Sequence, residues 1–414
     1  MHTYDIIIIG LGCAGVSAAS TLAKAGKKVL ALEAMDRIGG RVRTVPFGDG
    51  VVEVGAEWIH GTGNSSTYRI AMQHNITIIP QDPIFKVYQS DGTETDDDLL
   101  LNDLVNICFV LVGQKHKIFV GGLGEFITSR LLLNVKSKYP YLIKDKDFLS
   151  EFNTYNNGPG LPNLDIKLNT EVTQIIWPKD GADVRVVCAD GSTYTSRHVI
   201  VTVSLGVLKE RYETLFKPGL PREKEEAIEK TSIGAVCKII FKFEKAWWQG
   251  QETYYGFMWK TEDIEKLPKE DYWITKIFGA SRPRGSTNTL CLWTSGEVGK
   301  LLEIMPEDIM KRKCMELLRK FMGKSYDIPE PTGMIRSTWF SNPFTRGSYS
   351  YDNRRTTQNA NNRRFLAEPL RDTLGVPRLL FAGEATDALH FSTVHGAIDS
   401  GYREAKRLIK NSKL

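Results

Sequence analysis

Near the N-terminus a continuous apolar run, YDIIIIG, is followed by a stretch of small residues, AGVSAASTLAKAG, and then by a second apolar run, KKVLALE. An uninterrupted run of β-branched residues predicts a strand that is buried on both faces, as in a parallel sheet. The small-residue stretch, closed by Gly26, predicts a helix between the two strands. The chain is therefore predicted to begin with a strand–helix–strand unit.

Later segments fall into two groups that predict two units. The segments PNLDIKLNTEVTQIIW, ADVRVVCADGSTYTSRHVIVTV and the C-terminal RLLF with its following helix are predicted to complete the first sheet. A second unit is predicted from the strands VCKIIFKF, YYGFMW, YWITKIFG and TLCLWTSG and the helices LLLNDLVNICFVLVG and PEDIMKRKCMELLRKFMG. In VCKIIFKF, apolar residues alternate from Cys237 to Phe243, which places Lys238 on the other face. From spacing alone, Lys238 is best explained as a solvated strand lysine.

The composition is that of an ordinary globular protein, and it excludes several classes of function. Of the 414 residues 42% are hydrophobic and 25% are charged, and the formal net charge is only +5. No block of Lys and Arg is interleaved with aromatic residues, so nucleic acid is not an expected partner. The six cysteines include no CxxC pair, which predicts neither a metal site nor a disulfide framework. The longest apolar stretch, LLLNDLVNICFVLVG, is too short for a membrane span, so no membrane association is expected.

The turn between the first strand and the first helix fits the pattern GxGxxG. Gly10 is expected to make the tight turn, Gly12 to let backbone amides approach a pyrophosphate, and Gly15 to let the helix pack closely on the strand. The helix N-terminus adds positive potential for the phosphates. Glu33, at the end of the second strand, is placed to accept hydrogen bonds from ribose hydroxyls. The unit is therefore predicted to bind a dinucleotide.

A second glycine-rich turn follows in the segment AMDRIGGRVRT. Its paired glycines are flanked by Arg37 and Arg41, whose guanidinium groups suit bidentate contact with a phosphate. A second turn that faces a phosphate in this way helps to decide whether the dinucleotide is NAD or FAD. Taken alone, the segment is equally well explained as a basic turn on the surface.

Six segments, in order and across most of the chain, resemble the flavin-dependent amine oxidase family. They are DIIIIGLGCAG with Glu33, DRIGGRVRT, VVEVGAEWIHG, VTVSLGVLK, RSTWFSNPFTRGSYSY and RLLFAGEATDALHFSTVHGAIDSGYREAKRLI. Within the family, WIHG and STVHGA are most similar to the polyamine oxidase branch of N1-acetylpolyamine oxidases and spermine oxidases. The resemblance implies an α/β fold, with a discontinuous, Rossmann-like FAD-binding domain of the GR2 type and an α+β substrate-binding domain. It also implies non-covalent FAD, because Ser348 stands where covalently flavinylated members have a cysteine.

The resemblance also assigns individual residues to the cofactor, the substrate and the chemistry. The implied FAD-binding residues are Gly10, Gly12, Cys13, Ala14, Gly15, Glu33, Ala34, Arg37, Gly40, Arg41, Gly55, Ala56, Glu57, Trp58, Val172, Trp339, Gly383, Glu384, Thr393 and Val394. The implied substrate-binding residues are His60, Tyr349, Tyr351, Ser392 and Thr393. Lys238 and His60 are the implied catalytic residues. Lys238 is the active-site lysine, which would hold a water beside the flavin and assist proton transfer, and His60 would position the substrate amine for the reaction. Without the resemblance, His60 would be a turn residue and the two tyrosines would be core packing.

The implied reaction is oxidation of a polyamine secondary amine, with N1-acetylspermine or N1-acetylspermidine as the expected substrate. The amine loses hydride to the flavin, water hydrolyses the resulting imine to an aldehyde and a shorter amine, and O2 is reduced to hydrogen peroxide. Two alternatives remain: a spermine oxidase acting on free spermine, and a catalytically impaired homologue that binds FAD.

The resemblance implies a division of the chain into two discontinuous domains. The FAD-binding domain would comprise residues 1–82, 166–224 and 335–414, and the substrate-binding domain residues 83–165 and 225–334. One departure from the family follows DFLSEFNTYNN, where several dozen residues are missing before the strand EVTQI. The chain is either a shortened form or lacks a segment in the sequence as given, which bears on activity more than on fold.

The last three residues, Ser412, Lys413 and Leu414, spell a signal that a peroxisomal import receptor reads at a free C-terminus. The alternative is an ordinary solvated tail. An oxidase that releases hydrogen peroxide suits a peroxisome, so the expected location is peroxisomal, with a cytoplasmic location as the alternative.

Overall fold

The computed structural model describes residues 4–74, 76, 78–80, 85–95, 116–119, 161–250, 254–357 and 361–411. Three sequence predictions lie outside the described residues: the C-terminal tripeptide, the helix LLLNDLVNICFVLVG, and the departure that follows DFLSEFNTYNN. Within the described residues the chain has a mixed α/β fold, as the sequence predicted.

Strands and helices alternate along the chain. The first strands are β1 (Tyr4–Ile9), β2 (Val29–Leu32), β3 (Thr44–Phe47), β4 (Gly50–Glu53), β5 (Trp58–His60), β6 (Ile78–Pro80), β7 (Phe85–Gln89), β8 (His116–Phe119), β9 (Leu164–Lys167), β10 (Val172–Ile176), β11 (Val184–Cys188) and β12 (Thr193–Val201). The later strands are β13 (Phe216–Lys217), β14 (Ser232–Ile233), β15 (Val236–Lys242), β16 (Tyr254–Met258), β17 (Gly279–Ser281), β18 (Thr289–Ser295), β19 (Gly333–Arg336), β20 (Ser350–Tyr351), β21 (Leu370–Arg371) and β22 (Pro377–Phe381). The helices are α1 (Cys13–Lys24), α2 (Ser66–Gln73), α3 (Leu205–Leu215), α4 (Arg222–Lys230), α5 (Thr261–Glu265), α6 (Gly296–Ile304), α7 (Glu307–Met322), α8 (Arg354–Thr357), α9 (Asn362–Ala367) and α10 (Val394–Asn411), with 3-10 helices at Lys269–Lys276 and Glu384–Thr386.

The first sheet contains a parallel core in the order β9-β2-β1-β12-β22. The antiparallel strands β10 and β11 extend it beside the N-terminal half of β12. Residues Ile6 to Ile9 of β1 are all apolar and buried because both faces of this part of the strand are covered. Ile6 and Ile8 pack into one core with α1 and α10, whereas Ile7 and Ile9 pack into the core on the other face. The predicted buried parallel strand is confirmed.

The second sheet has the order β19-β15-β18-β17-β16-β7. Its pairs are antiparallel except for β16 with β7, which run parallel. Helix α7 packs on it through Met310, Cys314 and Phe321, which share a core with Cys237 and Phe241 of β15. Small pairs join the rest: β3 with β4, β14 with β20, and β8 between β5 and β6.

One predicted strand is wrong. The segment YWITKIFG forms most of the 3-10 helix Lys269–Lys276, and a strand, β17, begins only at Gly279. Trp273, Ile274 and Ile277 are buried in the core of the second sheet, whereas Tyr272 is exposed. That spacing of buried positions belongs to a helical turn rather than to the two-residue period of a strand.

Candidate active site

A cavity of about 1820 Å³ opens where the carboxyl ends of the parallel strands meet the second sheet. The ends of β1, β2 and β12, at Gly10, Glu33 and Thr202, line one part, and Gly383 after β22 lines the same part. Ligands of open parallel sheets bind at this edge, because the loops there carry free backbone groups and the helix N-termini point toward it.

Most of the residues singled out in the sequence meet in this cavity. Its lining includes Gly10, Gly12, Cys13, Ala14, Glu33, Ala34, Gly40, Arg41, Gly55, Ala56, Glu57, Trp58, His60, Val172, Lys238, Trp339, Tyr349, Gly383, Glu384, Ser392, Thr393 and Val394. Gly15, Arg37 and Tyr351 are not part of the lining. Tyr351 is 47% exposed and lies instead beside a shallow surface depression with Lys209 and Asn353.

The first turn has the geometry that its glycines predict. Gly10 has φ +92°, a left-handed conformation that favours glycine, and α1 begins at Cys13 directly after Gly12. A Cβ at Gly15 would lie 1.9 Å from the carbonyl oxygen of Gly10, whereas a Cβ at Gly12 would meet no atom within 4 Å. Gly15 therefore serves packing of helix on strand, and Gly12 leaves open space at the helix N-terminus.

Glu33 lies at the far side of this turn and is only 4% exposed. Its two carboxylate oxygens accept hydrogen bonds from the backbone amides of Leu11 (2.7 Å) and Met35 (2.9 Å). Burial raises the pKa of Glu33, although these amides and the charge of Arg37 act in the opposite direction. The carboxylate is thus held at the end of β2 with its orientation set by the backbone.

The second glycine turn packs against the first. Gly39 forms an isolated β-bridge with Gly12. Gly40 has φ +58°, and a Cβ added to it would lie 3.1 Å from the Cα of Gly12. Arg37 donates to the carbonyl oxygens of Gly40 (2.8 Å) and Ile38 (3.2 Å), so it braces this turn from outside the cavity. Burial lowers the pKa of Arg37 to about 10.

Arg41 reaches into the cavity and makes an ion pair with Glu384. Its guanidinium donates to Glu384 Oε1 at 3.0 Å and to the carbonyl oxygen of Ser348 at 2.8 Å. Glu384 also accepts from the hydroxyl of Ser350 (2.6 Å) and the amide of Ser392 (2.9 Å). Burial alone would raise the pKa of Glu384, but the charge of Arg41 and these hydrogen bonds hold it below its usual value. The sequence did not reveal Ser350 as a partner in this network.

Lys238 lies on β15, opposite the apolar face predicted from the sequence, but it is buried rather than solvated. It is 4% exposed, and its ammonium donates to Glu57 Oε2 and to the carbonyl oxygen of Glu53, both at 2.8 Å. The ammonium also lies 4.6 Å from the ring centre of Trp293 and 5.7 Å from that of Trp58. The two indoles stack on each other with centres 5.2 Å apart.

Trp293 is a residue that the sequence reasoning missed. It lies on β18 directly opposite Lys238 in the register of β15 and β18. Its indole nitrogen donates to the hydroxyl of Ser281 at 2.8 Å, which fixes the ring beside the lysine. The strand TLCLWTSG was predicted, but the pairing that brings Trp293 to Lys238 depends on a register that one sequence does not show.

Three histidines line the same cavity: His60 on β5, His390 and His395. The rings of His390 and His395 are 4.6 Å apart, and His395 is 5% exposed. Burial, with the nearby charges of His390 and His60, lowers the pKa of His395 to about 4. The sequence singled out only His60 of the three.

The segment before α10 is shaped by its own side chains. Ser392 has φ +63°, and Thr393 caps α10 by accepting from the amide of Gly396 at 3.0 Å while donating to the carbonyl oxygen of His390 at 2.6 Å. Tyr349, 37% exposed, and Trp339 line the cavity nearby, and Trp339 donates to the carbonyl oxygen of Val54 at 3.2 Å. The N-terminal end of α10 thus faces the cavity with its first amides.

The described residues show neither a metal cluster nor a membrane span. They contain no group of three or more His, Cys, Asp or Glu side chains that could hold a metal ion. In the same ranges, no helix is long and apolar enough to cross a membrane.

The sequence matches the family of flavin containing amine oxidoreductases over residues 13–127 and 152–409. The chain belongs to this family. Its cofactor is therefore FAD, and the cavity fits such a group. The glycine turn with open space at Gly12, the carboxylate of Glu33, the guanidinium of Arg41 and Lys238 all line this one cavity.

Several curated relatives of this oxidoreductase align over nearly the whole chain. The bovine and human proteins named peroxisomal N(1)-acetyl-spermine/spermidine oxidase are 28% and 29% identical, covering 98% of this chain and 94% of each relative. The Arabidopsis thaliana protein named probable polyamine oxidase 5 is 27% identical, covering 99% of this chain and 98% of its own length. The bovine alignment runs over 488 positions, more than the 414 residues here, so that relative has residues without a counterpart in this chain.

Proposed function

We propose that this FAD-dependent oxidoreductase oxidises a secondary amine of a polyamine, with N1-acetylspermine or N1-acetylspermidine as substrate and O2 as electron acceptor. The observation that supports this most is that one cavity joins the dinucleotide-binding turn at Gly12 to Lys238 and an aromatic wall. The names of the bovine and human relatives agree with an acetylated polyamine. Spermine itself is the rival substrate.

The proposal includes the division of the chain into two domains. We assign the first sheet to a Rossmann-like, GR2-type FAD-binding domain and the second sheet to the substrate-binding domain. Strand β9 begins at Leu164 and joins the first sheet, and β19 ends at Arg336 in the second, close to the proposed boundaries at 166 and 335. We also propose for the individual site residues the roles that the resemblance implies, and their presence in one cavity supports those roles.

Bound FAD would supply the redox chemistry, taking up a hydride from the carbon next to the amine nitrogen and returning the two electrons to O2, which would become hydrogen peroxide. The first turn and Glu33 would hold the adenosine end of the cofactor, and Arg41 with Glu384 would hold its middle part. Lys238 Nζ holds a proton that can be transferred when peroxide forms. His60 and Tyr349 orient the amine, and the surrounding aromatic rings exclude water and attract cationic carbon–nitrogen groups. Ser348, in place of a cysteine, leaves the cofactor non-covalently bound.

The decisive experiment is anaerobic reduction of the purified holoenzyme by candidate amines. N1-acetylspermine is expected to bleach the oxidised flavin spectrum fastest, with spermine and spermidine slower and a monoamine inactive. The ratio of kcat/KM for acetylated over free spermine then separates the two substrates. Lys238→Met is expected to slow flavin reoxidation, and a variant with normal reduction and reoxidation would refute the role of the lysine.

One observation favours a second candidate, a catalytically impaired protein that binds FAD. The bovine relative has residues with no counterpart here, and the sequence departs from the family after DFLSEFNTYNN. A purified protein with an oxidised flavin spectrum that no amine bleaches would establish this second candidate over the first.

We also propose that the enzyme is peroxisomal and is imported through Ser412, Lys413 and Leu414. Two of the relatives carry the word peroxisomal in their names, and a peroxide-forming reaction suits that compartment. A fluorescent protein fused to the N-terminus is expected to be punctate and to become diffuse when the three residues are removed. A diffuse intact fusion would support the cytoplasmic alternative.

A further inference from the structure

Lys238, the buried lysine of the second sheet, has a carboxylate partner. Lys238 Nζ and Glu57 Oε2 are 2.8 Å apart, and the two side chains are only 5% and 10% exposed. The indoles of Trp58 and Trp293 lie beside the ammonium and cover part of it. Removing two charges from water is costly unless they neutralise each other at short distance, which is the arrangement here.

The local chain geometry brings Glu57 to this position. It lies between β4 and β5, in a segment that passes against Arg41: a Cβ at Gly55 would be 2.0 Å from the carbonyl oxygen of Arg41. The carbonyl oxygen of Glu53, at the end of β4, accepts the second hydrogen bond from Lys238. The ammonium is therefore held between a fixed carbonyl and a fixed carboxylate, and not by a flexible surface chain.

Other titratable groups near the pair do not replace Glu57. The carboxylate of Glu53 accepts a hydrogen bond from the hydroxyl of Thr44 at 2.8 Å, while its backbone serves Lys238. Cys291, on β18, interacts with both charges, but burial raises the pKa of its thiol well above the usual range, so it is neutral. Of the described contacts of Lys238, the one with a charged oxygen is that with Glu57.

We propose that Glu57 is the counter-ion of Lys238: it holds the ammonium in place and cancels its charge toward a cationic amine entering the cavity. Glu57 is thus a positioning residue that acts through Lys238, and its effect on turnover rests on the proposed function. An uncompensated ammonium beside the reacting carbon would repel the substrate, whose other nitrogens are positively charged.

The first test is a double-mutant cycle on protein stability, which needs no turnover. Glu57→Gln and Lys238→Met are each expected to lower the melting temperature by several degrees, because each leaves one buried charge unpaired. The double variant is expected to lose less than the sum of the two. Glu404→Gln provides the control, since Glu404 is a buried carboxylate that is paired as well, with Arg403 and Arg407 on α10, and this helix packs against the first sheet. The melting-temperature losses of Glu404→Gln and Lys238→Met are expected to add up in their double variant. If the losses of Glu57→Gln and Lys238→Met were additive in the same way, the proposal would be overturned.

The second test concerns catalysis by the holoenzyme with N1-acetylspermine. Glu57→Gln is expected to raise KM about tenfold, more than it lowers kcat, and to move the alkaline limb of the pH profile to lower pH. Glu57→Asp, which keeps the charge, is expected to restore the profile, and the KM effect should vanish in a Lys238→Met background. An unchanged KM and pH profile in Glu57→Gln would refute the charge-cancelling role. If no amine is oxidised, the proposed function fails, while the stability cycle still decides the pairing.

Discussion

Two glycines of the first turn predict opposite outcomes when each is replaced by alanine. At Gly15 the new methyl group would lie 1.9 Å from the carbonyl oxygen of Gly10 and 3.0 Å from the hydroxyl oxygen of Thr202. At Gly12 no atom lies within 4 Å of the new methyl group, and the backbone there (φ −70°, ψ −178°) is ordinary for alanine. Gly15→Ala is therefore expected to lower the stability of the folded protein, whereas Gly12→Ala is expected to weaken only the binding of a ligand at the turn.

The magnitudes follow from these distances. A carbon–oxygen contact needs about 3.3 Å, so α1 must move by more than about 1 Å from β1 to accept Gly15→Ala. Overpacking of this kind costs about 1–3 kcal/mol, and a backbone obstacle puts the cost at the upper end. Gly12→Ala should change the stability of the protein by less than about 0.5 kcal/mol. Because its methyl group occupies the space where a pyrophosphate would approach the helix amides, FAD affinity should fall at least about tenfold.

The assay compares the two variants in flavin-depleted protein. Thermal unfolding followed by circular dichroism reports the stability of each, and quenching of FAD fluorescence on titration reports the dissociation constant. Gly15→Ala is expected to have a melting temperature well below that of the wild type. Gly12→Ala is expected to keep the wild-type melting temperature but to bind FAD weakly. A Gly12→Ala protein that binds FAD with wild-type affinity would refute the assignment of this turn to the pyrophosphate.

Three further predictions follow from other parts of the chain. Lys224 is 3% exposed and donates to backbone carbonyls, and burial lowers its pKa to about 7. The buried charge therefore destabilises the folded protein fully below pH 7. Between pH 7 and 10.5 this effect fades, and the free energy of unfolding should rise by about 1.4 kcal/mol per pH unit. The difference in melting temperature between Lys224→Met and the wild type should thus shift against the variant from pH 6 to pH 9, and a constant difference would contradict it. Tyr349→Ala should raise KM for the amine, whereas Tyr351→Ala, outside the cavity, should not; equal effects in steady-state assays would count against this placement. Acid precipitation should release free flavin into the supernatant because Ser348 offers no thiol for a covalent bond, and flavin retained in the pellet would contradict this.

The first sheet was predictable because its signals are local. A buried parallel strand must be apolar at consecutive positions, and a tight turn before a helix needs glycine, so β1, α1 and β2 are readable in the first 33 residues. The predicted alternation in β15 is confirmed for the same reason, since Cys237 and Phe241 share a core with α7. The segment YWITKIFG misled because bulky aromatic and β-branched residues favour a strand, while its burial follows a helical turn.

The chemistry-bearing contacts were much less readable, because they join distant parts of the chain. Spacing alone favours a solvated Lys238, and its burial follows from Trp293 across β18 and Glu57 before β5. Tyr349 and Tyr351 show the limit of alternation as a guide. The strand that contains the second is only two residues long, and Tyr351 turns out of the cavity that Tyr349 lines. No local pattern distinguishes these two residues.

The carboxylates that line the described part of the cavity bear on which amine enters it. Glu57 is paired with Lys238, Glu171 with Arg211 and Glu384 with Arg41, while Glu33 accepts two backbone amides. A polyamine ammonium that bound one of these oxygens would have to displace a donor already in place, at the cost of leaving that donor unpaired. Aromatic rings, which attract cations without a formal charge, do not impose that cost. Acetylation turns one terminal ammonium into a neutral amide, so it removes one charge that the described lining would otherwise have to accommodate. We therefore expect the cationic nitrogens of a substrate to contact aromatic rings of the described lining rather than carboxylates that already have donors.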